Sequence, residues 1–368
     1  MLWQILSLFN IIKKILKQGK YKIREKREKM KDKGKLLRNL AVFLLIIIIT
    51  FYILLKDQDI LQILDIISSV KIQYVIIGII CMFLYITCEA INIGRTLKKL
   101  NEKTTFLKNI KYALIGFFFS SVTPAASGGQ PMQIYYMHKD NISISNSTLT
   151  LLINLSSMQV ITISFALISL MFNYKYLNRF LIIFFIVGVL LNLSALILLL
   201  VGIFSKKMTN GLVNISIKVL KFFRLKNIES KKEKLEKELL KYQDSAVYIK
   251  NNKLLIIKTL VTTLVEFTLY YSITYWTYRA LGLSECNIFE IITMQSVLYA
   301  TVSGIPSPGA VGVTEGAFME IFRFIYPESM MSSAVLLNRG INFYFLVIIS
   351  GVVTVVNHIR SGVKDKVR

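Results

Sequence analysis

Thr123-Pro124-Ala125-Ala126-Ser127-Gly128-Gly129-Gln130-Pro131 interrupts one apolar stretch, 107 to 138, and Gly304-Ile305-Pro306-Ser307-Pro308-Gly309-Ala310-Val311-Gly312 interrupts another, 287 to 326. Proline removes a backbone donor and glycine weakens a helix, so each stretch is predicted to form two half-helices around a turn. Of the five prolines, all but Pro327 fall in these breaks. Six apolar stretches without such a break surround them: 39 to 56, 72 to 92, 145 to 172, 179 to 204, 253 to 281 and 331 to 357. Each is near the ~20 residues that cross a bilayer as a helix. Lipid cannot satisfy free N–H and C=O groups, so non-helical backbone at that depth must be buried in protein or line a wet cavity. The reading is an all-α polytopic membrane protein with six spanning helices and two re-entrant broken-helix hairpins.

Composition agrees. Of 368 residues, 54% are hydrophobic and 18% charged, too apolar for a water-soluble enzyme whose charged faces cover a core. Lys and Arg number 45 against 21 Asp and Glu, a net charge of +24. If the N-terminus is cytoplasmic and each hairpin returns to its side of entry, cytoplasmic segments carry 38 Lys plus Arg and outer segments six, with Arg339 inside a span. That bias favours this topology over one in which the broken stretches cross fully. Three cysteines and two histidines are too few for a disulfide framework or a thiolate–histidine zinc site, so no metal or other cofactor is expected.

The same topology is symmetric. Each half reads span, span, hairpin, span, the second upside down relative to the first, which is a transporter design whose half-helix N-termini can face an anion. The expected organisation is an amphipathic and polybasic cytoplasmic segment 1–38, a first repeat 39–172 with hairpin 107–138, a second repeat 173–357 with a cytoplasmic amphipathic insert 206–252 and hairpin 287–326, and a basic tail 358–368. Residues 60 to 69 add a short amphipathic helix. A signal peptide would carry its charges first, whereas residues 1 to 16 are mostly apolar and the basic run follows, as in an interfacial helix with an arm on anionic lipid. No nucleic-acid recognition fold accompanies the arm, so nucleic acid is not an expected partner.

Polar residues inside apolar spans are costly and face a bundle interior or cavity. Glu266 lies on the stripe Thr259, Thr263, Glu266, Tyr270, Thr274, while Arg339 and Asn342 share one face of the last span and Glu315 follows the second break. Arg339 has two candidate partners, Glu315 or a lipid phosphate, and the phosphate is the preferred reading. The carboxylates then meet a cationic group or a proton. Glu89 and Arg95 flank one end of the second span. Asn154, Ser157 and Gln159 read as interhelical hydrogen-bonding residues before cavity lining. The candidate substrate-binding set is Arg339, Glu315, Glu266, Asn342, Thr123, Ser127, Gly128, Gly129, Gln130, Gly309, Gly312 and Thr314. Gly128, Gly129, Gly309 and Gly312 are expected where backbones or a headgroup come close. No nucleophile elbow, phosphate loop or triad arrangement is present, and no catalytic residue is assigned.

The two breaks, Thr123 to Pro131 and Pro306-Ser-Pro-Gly-Ala-Val-Gly-Val-Thr-Glu315-Gly316, resemble in order and spacing the paired signatures of the lysylphosphatidylglycerol synthase transmembrane-region family, over residues 39 to 357. Members often carry a second Gly where this chain has Ala310. The resemblance implies the lipid-handling half of the bacterial multiple peptide resistance factor. It implies a flippase for an anionic or aminoacylated phospholipid, in the bacterial cytoplasmic membrane with both termini inside. The rivals are a phosphatidylglycerol lysyltransferase, or a membrane subunit of one, and a small-solute or ion transporter. The family's name would attach a lysyltransferase label, but the insert 206 to 252 and the 11 residues after the last span are too short for that domain. Implied partners are phospholipid, the anionic membrane surface, a separate cytosolic lipid-modifying enzyme and a second copy of the chain.

Overall fold

The computed structural model describes residues 60–173, 179–205, 228–303, 305 and 307–367. Among them every regular element is helical. In chain order these are α1 (Ile60–Ser68), α2 (Ile72–Lys99), α3 (Phe106–Ser121), α4 (Gly129–Lys139), α5 (Ile144–Asn173), α6 (Arg179–Phe204), α7 (Ile228–Asn251), α8 (Lys253–Ala280), α9 (Ile288–Val302), α10 (Val313–Phe322), α11 (Glu328–Arg339) and α12 (Phe345–Val367). The predicted first span 39 to 56, the segment 1–38 and residues 206–227 of the insert lie outside the described residues.

Local chemistry explains several boundaries. The Asn287 side chain accepts from the Glu290 amide and Glu290 accepts from that of Asn287, a reciprocal cap that starts α9. Asn252 accepts from the Leu255 amide and starts α8 directly after α7 ends. Asn101 and Asn141, both with left-handed φ, turn the chain into α3 and α5.

Among the described residues five helical segments are long and apolar enough to cross a membrane: Ile72–Lys99, Ile144–Phe172, Leu181–Phe204, Lys253–Ala280 and Glu328–His358. The other five predicted spans fall on them. Their outward faces are apolar, with Ile183 61% and Leu190 58% exposed on α6. Thr259, Thr263, Thr274, Gln295 and Asn338 are buried. Polar inside and apolar outside reverses the soluble pattern and suits lipid. The last span departs from the expected uninterrupted helix. Between α11 and α12 a π-helical turn, Gly340–Tyr344, closes with the Phe345 amide donating to the Gly340 carbonyl. Its extra residue rotates the following side chains relative to Arg339.

The two broken stretches divide as their sequence predicts. Pro124–Ala126 forms a 3₁₀ turn between α3 and α4, and Pro308–Ala310 forms one between α9 and α10. Pro131 sits in the first turn of α4, where its missing N–H costs nothing. α3 packs against α4 and α9 against α10, so both stretches fold back on themselves. Each has its own core. Tyr112, Ile115 and Met137 join the first to Ile86 and Ile93 of α2, and Met294, Val297, Phe318 and Phe322 join the second to Phe185 of α6. Among the described helices α8 and α2 form the most extensive packed pair, and α8 contributes Ile273 to the first core and Tyr278 to the second.

Candidate functional site

The two 3₁₀ turns meet. Val122, Val311 and Phe343 form a buried apolar cluster between them, flanked by Phe117, Phe118, Phe119 and Tyr344. Helices α4 and α10 both begin at this meeting point, and helix N-termini carry amides without helical partners and a partial positive charge.

At the second break, Glu315 is 2% exposed and accepts the Gly312 amide at 2.7 Å, satisfying one such amide. Its other oxygen accepts from Arg339 Nε at 2.8 Å and from the Tyr344 hydroxyl at 3.4 Å. Arg339 is 4% exposed, donates through Nη2 to the Gly309 carbonyl at 3.1 Å, and stacks 4.1 Å from the Phe343 ring centroid. Arg339 thus ties α11 to both sides of the break, and the rings beneath it complement a cation. Gly309, at φ +60°, would place a Cβ 2.2 Å from Phe343 Cζ, so only glycine fits. Gly312 also has positive φ, +84°. Thr314 and Asn342 are buried nearby in sequence, and Asn342 Oδ1 has no partner among the described residues.

At the first break, the Thr123 hydroxyl donates to the Phe119 carbonyl at 2.5 Å and accepts from the Gly128 amide at 2.9 Å, closing the turn. A Cβ on Gly128 would lie 2.8 Å from Thr123 Cγ2, and one on Gly129 would lie 2.1 Å from Ser120 Oγ. Ser127 is buried, and Gln130 Oε1 is buried without a partner among the described residues. Ala125, Ala126 and Ala310 adopt φ of 52°, a strained conformation for a residue with a Cβ. Ala310→Gly is therefore expected to raise stability by about 1 kcal/mol, measured as a higher unfolding midpoint in detergent.

Glu266 belongs to a separate centre. It is 0% exposed, and neither carboxylate oxygen has a hydrogen-bond partner among the described residues. Tyr85, Cys88, Glu89 and Tyr299 lie within electrostatic range, and Tyr270 stands in range of Arg339. Of the stripe on α8, Thr263 accepts from Asn92 Nδ2 and Thr274 donates to Gln295 Oε1. Asn154 and Gln159 each keep a carbonyl oxygen unpartnered among the described residues. Glu89 and Arg95 take different partners: Glu89 accepts from Gln133 Nε2 at 3.0 Å, while Arg95 donates to Asn92 and Thr262. Sequence reading missed Gln133, Phe343 and Tyr344. Phe343 sits four residues after Arg339, a helical spacing that was a usable signal; Tyr344, five residues on, lies across the π turn, and nothing in the sequence singles out it or Gln133.

Two polar clamps hold the loops at the α2–α3 and α4–α5 corners. Burial raises the Asp140 carboxyl, but bonds from Lys111 and Tyr112 outweigh it and hold it below the usual carboxylate range. Glu102 is likewise opposed by burial yet held low by Ser143, Asn146 and Lys241. Beside the second clamp, a cleft of about 460 Å³ is lined by Ala90, Arg95, Lys98, Glu102 itself, Lys103 and Asn109, three basic groups to one acidic.

The family model described as the lysylphosphatidylglycerol synthase TM region matches residues 39–350. The UPF0104 membrane protein PH1989 of Pyrococcus horikoshii is similar, at 24% identity over 298 residues that cover 78% of this chain and 88% of that one. With its apolar helices and paired breaks, the chain is a multi-pass membrane protein that belongs to the lysylphosphatidylglycerol synthase TM region family.

Proposed function

We propose that this protein moves a phospholipid with an anionic or aminoacylated headgroup, such as lysyl-phosphatidylglycerol, between the leaflets of the cytoplasmic membrane. The observation that carries the reading is the meeting of two folded-back helix breaks, each presenting a helix N-terminus, beside a buried arginine. A phosphate suits unpaired amides and a guanidinium, and the interior polar residues give a headgroup a path that lipid tails cannot. In this reading the two stretches are re-entrant hairpins, six helices span, and the halves are inverted repeats with both termini cytoplasmic. Arg339, Glu315, Asn342, Thr314 and Gly309 with Gly312 form one wall of the headgroup path. Thr123, Ser127, Gly128, Gly129 and Gln130 form the other. The basic cleft of Arg95, Lys98 and Lys103 is the cytoplasmic entry, where exchange with a separate lipid-modifying enzyme would take place. The basic N-terminal arm rests on anionic lipid, and a second copy of the chain is a compatible partner.

A protein of this kind retains its cargo. Mass spectrometry of the chain purified in mild detergent is expected to find one phospholipid class enriched severalfold over its share of the membrane. The Arg339→Ala protein is expected to lose that enrichment. A lipid profile identical to the bulk membrane contradicts the proposal.

A further inference from the structure

Glu266 lies apart from the two breaks, and among the described residues it stands out as a carboxylate that is 0% exposed with neither oxygen partnered. An ionised carboxylate in that setting is costly, so the resting group holds a proton or sits beside a cation, and its charged form is confined to a step of a cycle. The surroundings separate these choices. Tyr85 and Tyr299 lie within electrostatic range of Glu266, and their rings pack with those of Phe267, Tyr270 and Tyr271 at centroid separations of 5.2 to 6.4 Å. Phe267 and Tyr271 are at most 1% exposed, and Tyr85, Tyr270 and Tyr299 are partly exposed. Among the described residues no group of three or more His, Cys, Asp or Glu side chains is placed to hold a metal. A hard cation needs several oxygen ligands, whereas a proton needs none.

The charged and titratable groups that bear on Glu266 are few. From α2 come Tyr85, Cys88 and Glu89, with Arg95 bearing on Cys88; from α9 comes Tyr299. On α8 itself Tyr270, one turn beyond Glu266, is in range of Tyr85, of Tyr299 and of Arg339 of α11. Helix α5 carries no titratable side chain, and α7 meets α8 through Leu255, about three turns away. Among these groups Glu89 is the carboxylate that is partly exposed. It precedes Ala90 and Ile91 of the basic cleft, and it is bonded to Gln133 on the returning half of the first hairpin.

We propose that Glu266 is a proton-binding site, loaded and unloaded through Glu89, that couples the lipid step to a proton gradient. This rests on the lipid-moving reading and supplies its energy source. A proton passes from water to the Glu89 carboxylate and then to an oxygen of Glu266, which becomes the neutral acid as Glu89 regains its charge. One proton moves per transfer and no electrons change hands. The Asn92–Thr263 and Cys81–Ser272 contacts set α2 and α8 antiparallel with Glu89 and Glu266 at the same level, so charge on one carboxylate disfavours charge on the other. Charge on Glu89 strengthens its bond to Gln133, and this links proton occupancy to the first hairpin.

The full chain in liposomes, with a tail-labelled fluorescent phosphatidylglycerol as probe, tests this in two ways. An imposed difference of about one pH unit is expected to change the rate of lipid movement by up to about tenfold, and Glu266→Gln to abolish that response whatever its own rate. Infrared spectra at neutral pH are expected to show a protonated carboxyl band that Glu266→Gln removes and Glu89→Gln retains, a readout independent of transport. Absence of the band, or a gradient response that survives in Glu266→Gln, overturns the proposal. Acceleration by a sodium gradient at equal pH overturns the choice of ion. Lipid movement by the wild-type chain with no gradient response overturns the coupling and leaves the lipid reading standing. A wild-type chain that moves no lipid overturns both the lipid reading and the coupling, and the band then decides the proton site alone.

Discussion

Arg339→Ala is expected to destabilise the protein by about 3–5 kcal/mol and to stop lipid movement. The stability loss follows from the pair itself: Arg339 and Glu315 are 4% and 2% exposed and 2.8 Å apart, so removing the guanidinium leaves a buried carboxylate without its cation. It also releases the Gly309 carbonyl that fixes the turn. Adding Glu315→Gln removes the stranded charge while keeping an acceptor for the Gly312 amide, so the double variant is expected to regain part of the stability. Lipid movement is the separating readout. If Arg339 also receives the headgroup during transport, the double variant stays inactive despite its recovered stability. Arg339→Lys should recover only part of the activity, because an ammonium lacks the planar fork that grips both a carboxylate and a phosphate. A double variant that moves lipid at the wild-type rate would reduce Arg339 to a structural tie.

Gly309→Leu is the second large effect. The position combines φ of +60° with a Cβ site 2.2 Å from Phe343, so any side chain meets both backbone strain and a ring held in the cluster between the two turns. The expected outcome is a protein that still inserts but whose turns no longer meet, with lipid movement lost. Gly129→Leu should act in the same way from the first break, where its Cβ would collide with Ser120 and approach the Gly116 carbonyl at 2.9 Å. Gly316→Ala is the control, since nothing lies within 4 Å of its Cβ site. Wild-type activity in both leucine variants would make the breaks simple kinks.

Much of the fold is legible because bilayer physics is severe. Long apolar runs have few alternatives to helix, and proline with glycine marks where a helix must stop, so five predicted spans and both breaks coincide with described elements. The family resemblance carried by the same two motifs agrees with the match over residues 39–350. The π turn after Arg339 was not legible, because Gly340 to Tyr344 contains no proline and an ordinary helix would satisfy the same composition. The candidate set was legible in composition but not in grouping. Spacing identifies Glu266 and Arg339 as costly residues, whereas tertiary packing assigns Arg339 to Glu315 and the second break, and Glu266 to a ring-lined box shared with α2 and α9. Ala310 shows the reverse case. The motif resemblance marks it as an alanine where a glycine is expected, and its φ of 52° gives that alanine a physical cost.

The most direct test is transbilayer movement of tail-labelled phosphatidylglycerol in liposomes containing the purified chain, followed by chemical quenching of the probe in the outer leaflet. The account predicts that the quenchable fraction rises beyond the outer-leaflet share with wild-type protein and stays at that share with Arg339→Ala or Gly309→Leu. Wild-type liposomes whose quenchable fraction equals that of protein-free liposomes would contradict it.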